Sequence, residues 1–275
     1  MDSNVPAILR FEDVSLHYGP TPAMDHLSFE MRAGETRIVF GAAGAGKTTL
    51  LKAAVGLVKP DSGRIFLFDE EITHLQEHDL FDVRSKAGFL FQEGGLFDSL
   101  TIAENVAYPL LNQQGRAPTN GTNGTEEKVR EALRFVELEQ TLEKYPDELS
   151  GGMRRRVGIA RTVVTAPPLV LYDSPTAGLD PITAYTIVAL IVKQREVRNM
   201  SSILVTYRYQ DGHLLANFRY NPNSGRVEAA SQDHSGQEGF KTTFMVMEEG
   251  RLVFEGSETE LRSSRDPYVT KFVKR

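Results

Sequence analysis

Apolar positions in the first third of the chain recur in short runs: Ile8 to Phe11, Val14 to Tyr18, Leu27 to Met31 and Arg64 to Phe68. Turn signals at Arg32-Ala33-Gly34-Glu35 and Lys59-Pro60-Asp61-Ser62-Gly63 punctuate them. Such runs predict strands, here a small antiparallel layer. The period then changes. Thr101-Ile102-Ala103-Glu104 has the form of a capping box opening a helix, and Glu126 to Leu138 places Val129, Leu133 and Val136 at helical spacing. A helical insertion is therefore predicted after a strand at Ala87 to Phe91. From Leu169 strand and helix alternate again, with Leu169 to Tyr172 and Ile203 to Val205 apolar throughout, as in parallel strands buried on both faces. The pattern predicts an α/β chain with a doubly wound sheet. Two polar stretches, Asn112 to Thr125 and Asn221 to Gly239, are expected as surface excursions, and no internal repeat is found.

Composition narrows this picture in a few places. A chain of 275 residues is expected to fold as one compact unit over 1–275, with room for an inserted subdomain. With 31 Lys and Arg against 37 Asp and Glu, a nucleic-acid backbone is not an expected partner. There is no cysteine, so disulfides and thiolate zinc sites are excluded, which suits a reducing compartment. The longest aliphatic run, Ile187 to Val192, is far shorter than the roughly 20 residues that cross a bilayer. Asp2 and Glu12 flank Pro6 with no basic head or apolar stretch, so no secretory signal is expected. The triplets Asn120 to Thr122 and Asn123 to Thr125 are expected to mark only a polar loop.

The first candidate chemistry lies at Gly41 to Thr48, G-A-A-G-A-G-K-T, which fits the phosphate-loop pattern G-x-x-x-x-G-K-[ST]. Gly41, Gly44 and Gly46 allow the backbone to turn its N–H groups inward as an anion nest. A helix beginning near Lys47 adds the positive end of its dipole. Lys47 supplies a point charge for the outer phosphates, and the Thr48 hydroxyl a ligand for the magnesium ion that travels with them. Thr36 to Phe40 reads as a strand before the loop and Thr49 to Val55 as a helix after it, the order the motif requires. The expected phosphate-binding set is Gly41, Ala42, Ala43, Gly44, Ala45, Gly46, Lys47, Thr48 and Thr49, with ATP and Mg2+ as the bound species.

Further motifs follow in order: L-H-Y-G at Leu16 to Gly19, F-L-F-Q at Phe89 to Gln92, L-S-G-G-M at Leu149 to Met153, L-V-L-Y-D at Leu169 to Asp173 and P-T-A-G-L-D at Pro175 to Asp180. With them the chain resembles, over nearly its full length, the nucleotide-binding subunit of an ATP-binding cassette (ABC) transporter. The resemblance implies a P-loop NTPase (RecA-like) parallel core, an antiparallel β subdomain and an inserted α-helical subdomain near 93–165. It implies that Tyr18 stacks on adenine, although a core aromatic is the other reading of that residue. It also implies that Gln92 lies near the magnesium and the attacking water, and that Asp173 holds magnesium through water beside Thr48. Ser150, Gly151 and Gly152 would meet the γ-phosphate of the opposite subunit, and Asp180 would lie at the subunit contact. Arg154, Arg155 and Arg156 could assist anion binding, but a solvated helix face is expected for at least two of them. Implied partners are a second nucleotide-binding subunit, as a homodimer, and integral membrane permease subunits. The implied location is the cytoplasmic face of the inner (plasma) membrane.

Two positions depart from the family. Ser174 stands where a glutamate polarises the attacking water, and Val205-Thr206-Tyr207 stands where V-T-H carries the switch histidine. Positioning and charge neutralisation dominate phosphoryl transfer, so ATP binding is expected to survive. A serine can orient a water but cannot take its proton, and general-base catalysis is worth about 10²- to 10⁴-fold. Hydrolysis is therefore expected to be slow, unless a neighbour such as Glu93 substitutes. Two readings stay open: a transport ATPase with Gln92, Asp173, Ser174 and Tyr207 in its catalytic site, or a nucleotide-binding subunit that does little or no hydrolysis. A cassette working on ribosomes or DNA fits less well, since neither a second cassette nor a coiled-coil arm is present.

Within the family, Ala87 to Leu110 resembles the ATPases of Mla/Mce-type lipid transport systems, most distinctively at Gly95-Leu96-Phe97-Asp98-Ser99-Leu100. The ending Asp266-Pro267-Tyr268-Val269-Thr270-Lys271-Phe272 is similar to the same group. This resemblance implies phospholipid or related hydrophobic cargo, with the aromatic stretch after Gln92 as the docking place of a membrane subunit. The region near 208–240 fits that group poorly and is expected as a polar insertion.

Overall fold

A computed structural model describes residues 6–112, 122–230 and 241–273. The antiparallel layer has strand order β2-β1-β4-β5, from β1 (Ala7–Tyr18), β2 (Thr21–Arg32), β4 (Ser62–Leu67) and β5 (Glu70–Glu71). The two apolar runs expected at Ile8 to Phe11 and Val14 to Tyr18 are one strand. Asp13 takes a left-handed conformation (φ 51°) where the register shifts between Phe11 and Val14, and this bulge breaks the alternation without breaking the strand.

The second sheet has order β12-β11-β3-β8-β7-β6. Its strands are β3 (Thr36–Gly41), β6 (Ala87–Leu90), β7 (Leu169–Asp173), β8 (Ser201–Val205), β11 (Thr242–Glu248) and β12 (Arg251–Gly256). All neighbours are parallel except β12, which closes one edge antiparallel to β11. Alternate residues of the central strands feed two cores. Val39, Leu169, Leu171, Ile203, Val205 and Met245 join the core of the antiparallel layer and α1 (Lys47–Ala54). Ile38, Phe40, Val170, Tyr172, Leu204 and Phe244 join the core on the other face. Burial on both faces is why these strands read as unbroken apolar runs.

The helices of the second core include α3 (Ile102–Leu111), α4 (Thr122–Phe135) and α5 (Gly151–Val163), which lie between β6 and β7 in the chain. The capping box at Thr101 and Glu104 is formed, with both reciprocal bonds present. On the same side lie α6 (Pro181–Arg198), α7 (Tyr209–Asn217), α8 (Glu258–Ser263) and α9 (Pro267–Val273). The helix α2 (Glu77–Arg84) has no counterpart in the apolar pattern because it buries only Leu80 and Val83.

The expected excursions are partly structured. Thr122 to Thr125 belong to α4, so the triplet at Asn123 is helical and not a loop, while 113–121 lie outside the described residues. In the second stretch β9 (Phe218–Asn221) and β10 (Arg226–Ala229) form a hairpin laid on α6, with Gly225 (φ 68°) supplying the left-handed turn residue. Residues 231–240 lie outside the described set. Among the described residues no helix is long and apolar enough to cross a membrane.

Candidate functional site

The sheet order places four of the expected elements on one edge. The strands β3, β8, β7 and β6 are consecutive and parallel, so their C-terminal ends release the phosphate loop, Thr206-Tyr207, Asp173-Ser174 and Phe91-Gln92 side by side. At about 4.8 Å per strand the row spans roughly 14 Å. Crevices beyond the carboxyl ends of parallel strands are where such sheets take ligands. Gln92 and Tyr207 are exposed there, and Tyr18, at the end of β1, is 54% exposed and therefore not a core aromatic.

The loop itself is held in a tight form. Gly46 has φ 97°, and a Cβ on it would stand 1.9 Å from the Ala23 carbonyl oxygen, so no other residue fits. The N–H groups at Lys47, Thr48 and Thr49 in the first turn of α1 have no intrahelical carbonyl, and Gly46 has no side chain to cap them. Lys47 Nζ donates to Gly41 O at 2.9 Å and Ala42 O at 2.7 Å. Burial pushes the Lys47 pKa down, and the Asp173 carboxylate opposes that shift. Two of the expected anion donors are engaged within the protein: Ala45 N–H bonds Ala42 O at 3.2 Å, and Ala42 N–H bonds the Tyr268 hydroxyl at 3.1 Å.

Asp173 is buried at the tip of β7. Ser174 follows it in a left-handed conformation (φ 48°), with its N–H on Val205 O at 2.9 Å and its hydroxyl on Asp173 Oδ1 at 3.3 Å. Behind this pair lies Asp211, which the sequence did not single out. Its Oδ2 accepts from Thr176 and, at 2.8 Å, from Thr206, so one buried carboxylate ties the segment after Ser174 to the segment before Tyr207. Burial pushes the Asp211 pKa up against the pull of the two hydroxyls and Arg208. Its partners sit 35 and five residues away, and no local pattern announces them.

Ser150 is the N-cap of α5, where its oxygen accepts from Met153 N–H at 3.3 Å, leaving the hydroxyl hydrogen to donate outward. Gly152 lies against the first turn of α6, since a Cβ there would stand 2.5 Å from Thr183 Cγ2. Asp180 caps α6 by accepting from Ile182 N–H and Thr183 N–H, both at 3.0 Å. Among the described residues no hydrogen bond joins Ser150, Gly151 or Gly152 to the phosphate loop of the same chain. The solvated face expected for the arginines is not found. Arg154 donates to Leu149 O at 2.8 Å, Arg155 to Pro175 O at 2.7 Å and Ala177 O at 3.1 Å, and Arg156 to Val136 O at 3.1 Å. Carbonyls of neighbouring segments take these guanidinium groups, and none of the three side chains is fully exposed.

Among the described residues no group of three His, Asp or Glu could hold a metal ion. A hydroxyl (Thr48), an amide (Gln92) and one carboxylate (Asp173) instead fit magnesium that arrives with phosphate oxygens, since Mg2+ keeps waters and takes few protein ligands.

The family model described as ABC transporter matches residues 24–177. The methionine import ATP-binding protein MetN 2 of Rhodococcus jostii (strain RHA1) is 39% identical over 209 residues, covering 73% of this chain and 58% of that protein. The MetN of Mesorhizobium japonicum is 36% identical, covering 80% and 59%. The chain thus spans a little over half the length of these methionine import relatives. The intermembrane phospholipid transport system ATP-binding protein MlaF of Haemophilus influenzae is 28% identical over 267 residues, covering 97% of this chain and 90% of MlaF. Among solved structures, the dimeric post-hydrolysis state of the cassette MJ0796 bound to ADP and Pi aligns with TM-score 0.72 at 26% identity, over 90% of this chain and 98% of that one. The cbiO1 protein of Clostridium perfringens, part of the complex cbiONQ, aligns with TM-score 0.74 at 25% identity, over 94% and 92%.

Proposed function

This chain belongs to the ABC transporter family, and from that premise we propose that it is an ATP-binding subunit in which two copies close on two Mg-ATP molecules. The observation that carries the reading is the single sheet edge on which the phosphate loop, Asp173-Ser174, Gln92 and Tyr207 stand together. In this reading Lys47 turns from the Gly41 and Ala42 carbonyls to the outer phosphates, and the α1 N-terminus holds the phosphate nearest it. Tyr18 lies flat on adenine, which gains from an apolar face. Thr48, Asp173 and Gln92 hold magnesium, which would neutralise charge on the phosphate oxygens. Ser150 donates its hydroxyl hydrogen to the γ-phosphate on the partner's loop, with the α5 N-terminus and the amides of Gly151 and Gly152 behind it.

Residues 1–275 form one cassette in this proposal, with the helical part near 93–165 carried by α3, α4 and α5. The exposed Phe91, Phe97, Tyr108 and Leu111 lie on or beside that part and supply an apolar surface for permease subunits. The complex would sit peripherally at the cytoplasmic face of the inner membrane. A net charge of −6 argues against a nucleic-acid partner. For cargo we favour phospholipid or a related hydrophobic molecule. The end-to-end likeness to MlaF supports it, whereas the higher identity to the methionine import proteins covers a smaller share of their length.

A second reading, binding with little hydrolysis, is favoured by Ser174 and Tyr207 themselves. Neither can accept a proton from water near neutral pH. Calorimetric titration of the full chain with Mg-ATP tests the shared premise, with Lys47→Ala as control. Micromolar binding that Lys47→Ala removes is expected, and no heat from the wild-type chain would end both readings.

A further inference from the structure

The ending Asp266 to Phe272 has no role in the function above, yet it touches the phosphate loop. The helix α9 is fixed by Val269 and Phe272 in the core and by Asp266 Oδ1, which accepts from Tyr268 N–H at 2.7 Å and Val269 N–H at 3.2 Å. Phe272 stacks on Phe40, the residue before Gly41, with ring centroids 6.1 Å apart, and meets the Tyr268 ring edge-on at 5.3 Å. These anchors aim one hydroxyl at the loop. Tyr268 Oη accepts from Ala42 N–H at 3.1 Å and donates to Met247 O, also at 3.1 Å. Met247 is the register partner of Gly41 on the neighbouring strand, so the hydroxyl bridges β11 to the first turn of the loop.

We propose that Tyr268 is a positioning residue for the phosphate loop and that, through it, the docking of α9 and the binding of nucleotide are coupled. The proposal rests on the reading of Gly41 to Thr48 as the phosphate site. Ala42 is held at both ends, its N–H by Tyr268 and its carbonyl by Lys47. When phosphate draws Lys47 away, the Tyr268 bond keeps the turn in its binding shape. A loop that holds this shape for a smaller fraction of the time binds with affinity reduced by that fraction. Coupling of this kind is reciprocal, so nucleotide must also steady α9.

Tyr268→Phe in the full chain keeps the ring and removes only the hydroxyl. We expect Mg-ATP affinity by calorimetry to fall about two- to twelvefold, the span of one net hydrogen bond of roughly 0.5–1.5 kcal/mol at 1.4 kcal/mol per decade. The Ala42 amide should exchange faster in the variant even without nucleotide. On the unaltered chain, saturating Mg-ATP should slow amide exchange at Val269 and Thr270. An unchanged or tighter Kd in Tyr268→Phe, or α9 exchange indifferent to Mg-ATP that is demonstrably bound, overturns the proposal. A wild-type chain with no affinity for Mg-ATP overturns the phosphate-site reading instead, and Ala42 exchange in the nucleotide-free variant still reports on the contact.

Discussion

The Ser174 hydroxyl donates to Asp173 Oδ1 across 3.3 Å, so its one hydrogen is spent on the carboxylate and only its lone pairs face outward. A water on the far side can donate to Ser174 Oγ and be oriented, but the serine hydroxyl cannot take its proton. In the proposed nucleotide site this position would thus orient a water without acting as a base.

Restoring both departures should therefore raise turnover. Ser174 already holds φ 48°, so a glutamate inherits a backbone conformation whose cost of about 1–2 kcal/mol is already borne. Ser174→Glu combined with Tyr207→His is expected to increase phosphate release by about 10²- to 10⁴-fold, with Mg-ATP affinity nearly unchanged. Single-turnover assays on the purified complex check it. No rise on restoring both residues would refute the missing-base account.

Asp211 should matter through its partners more than its charge. Asp211→Ala leaves the Thr176 and Thr206 hydroxyls buried without their acceptor and should cost about 2–4 kcal/mol in urea unfolding, while Asp211→Asn keeps an acceptor oxygen and should cost less. Because burial raises the Asp211 pKa above the ordinary aspartate value, the folded state binds the proton more readily than the unfolded chain. The wild type should gain stability relative to Asp211→Asn as pH falls from neutral toward that value. A flat difference across the range would count against the buried carboxylate.

Arg155 links the two segments expected to meet the partner. It springs from the first turns of α5, just past Ser150, and its guanidinium holds the Pro175 and Ala177 carbonyls ahead of Asp180. Burial pulls its pKa down, and the Glu93 carboxylate opposes this. Arg155→Met should weaken ATP-dependent dimerisation, read by light scattering, more than it weakens Mg-ATP binding to the monomer. Equal losses in both would reduce Arg155 to a general stabilising contact.

What the sequence displayed and what it hid separate along one physical line. The run from Thr36 to Ala54 was legible because strand, loop and helix are each dictated by residues next to one another, as was the Thr101-Glu104 cap. The bulge at Asp13 and the hairpin β9-β10 were not, the first because it breaks the alternation and the second because β9 is half-buried throughout and shows no period. Asp211 and Tyr268 act on partners up to 226 residues distant, and the three arginines find carbonyls instead of solvent. The contacts of Tyr268 with Ala42, Asp211 with Thr176 and Arg155 with Pro175 exist only once the topology has brought remote segments together.

The close approach of Gly152 to α6 gives a prediction with its own rescue. A methyl added there would stand 2.5 Å from Thr183 Cγ2, nearer than any relaxed contact, yet the obstacle is a single side-chain methyl and not backbone. Gly152→Ala should therefore lower the melting temperature and displace the α5 N-terminus from the start of α6, reducing ATP-dependent dimerisation. Thr183→Ser deletes that methyl while keeping a hydroxyl at the site. In the double variant the clash is gone, and stability should return to within about 1 kcal/mol of Thr183→Ser alone, since neighbours in contact couple by 0.5–3 kcal/mol. Melting curves of the four proteins in the cycle provide the comparison. If the two substitutions simply add, the Gly151-Gly152 turn is not packed against Thr183, and the apposition of Ser150 with the Asp180 segment loses its structural support.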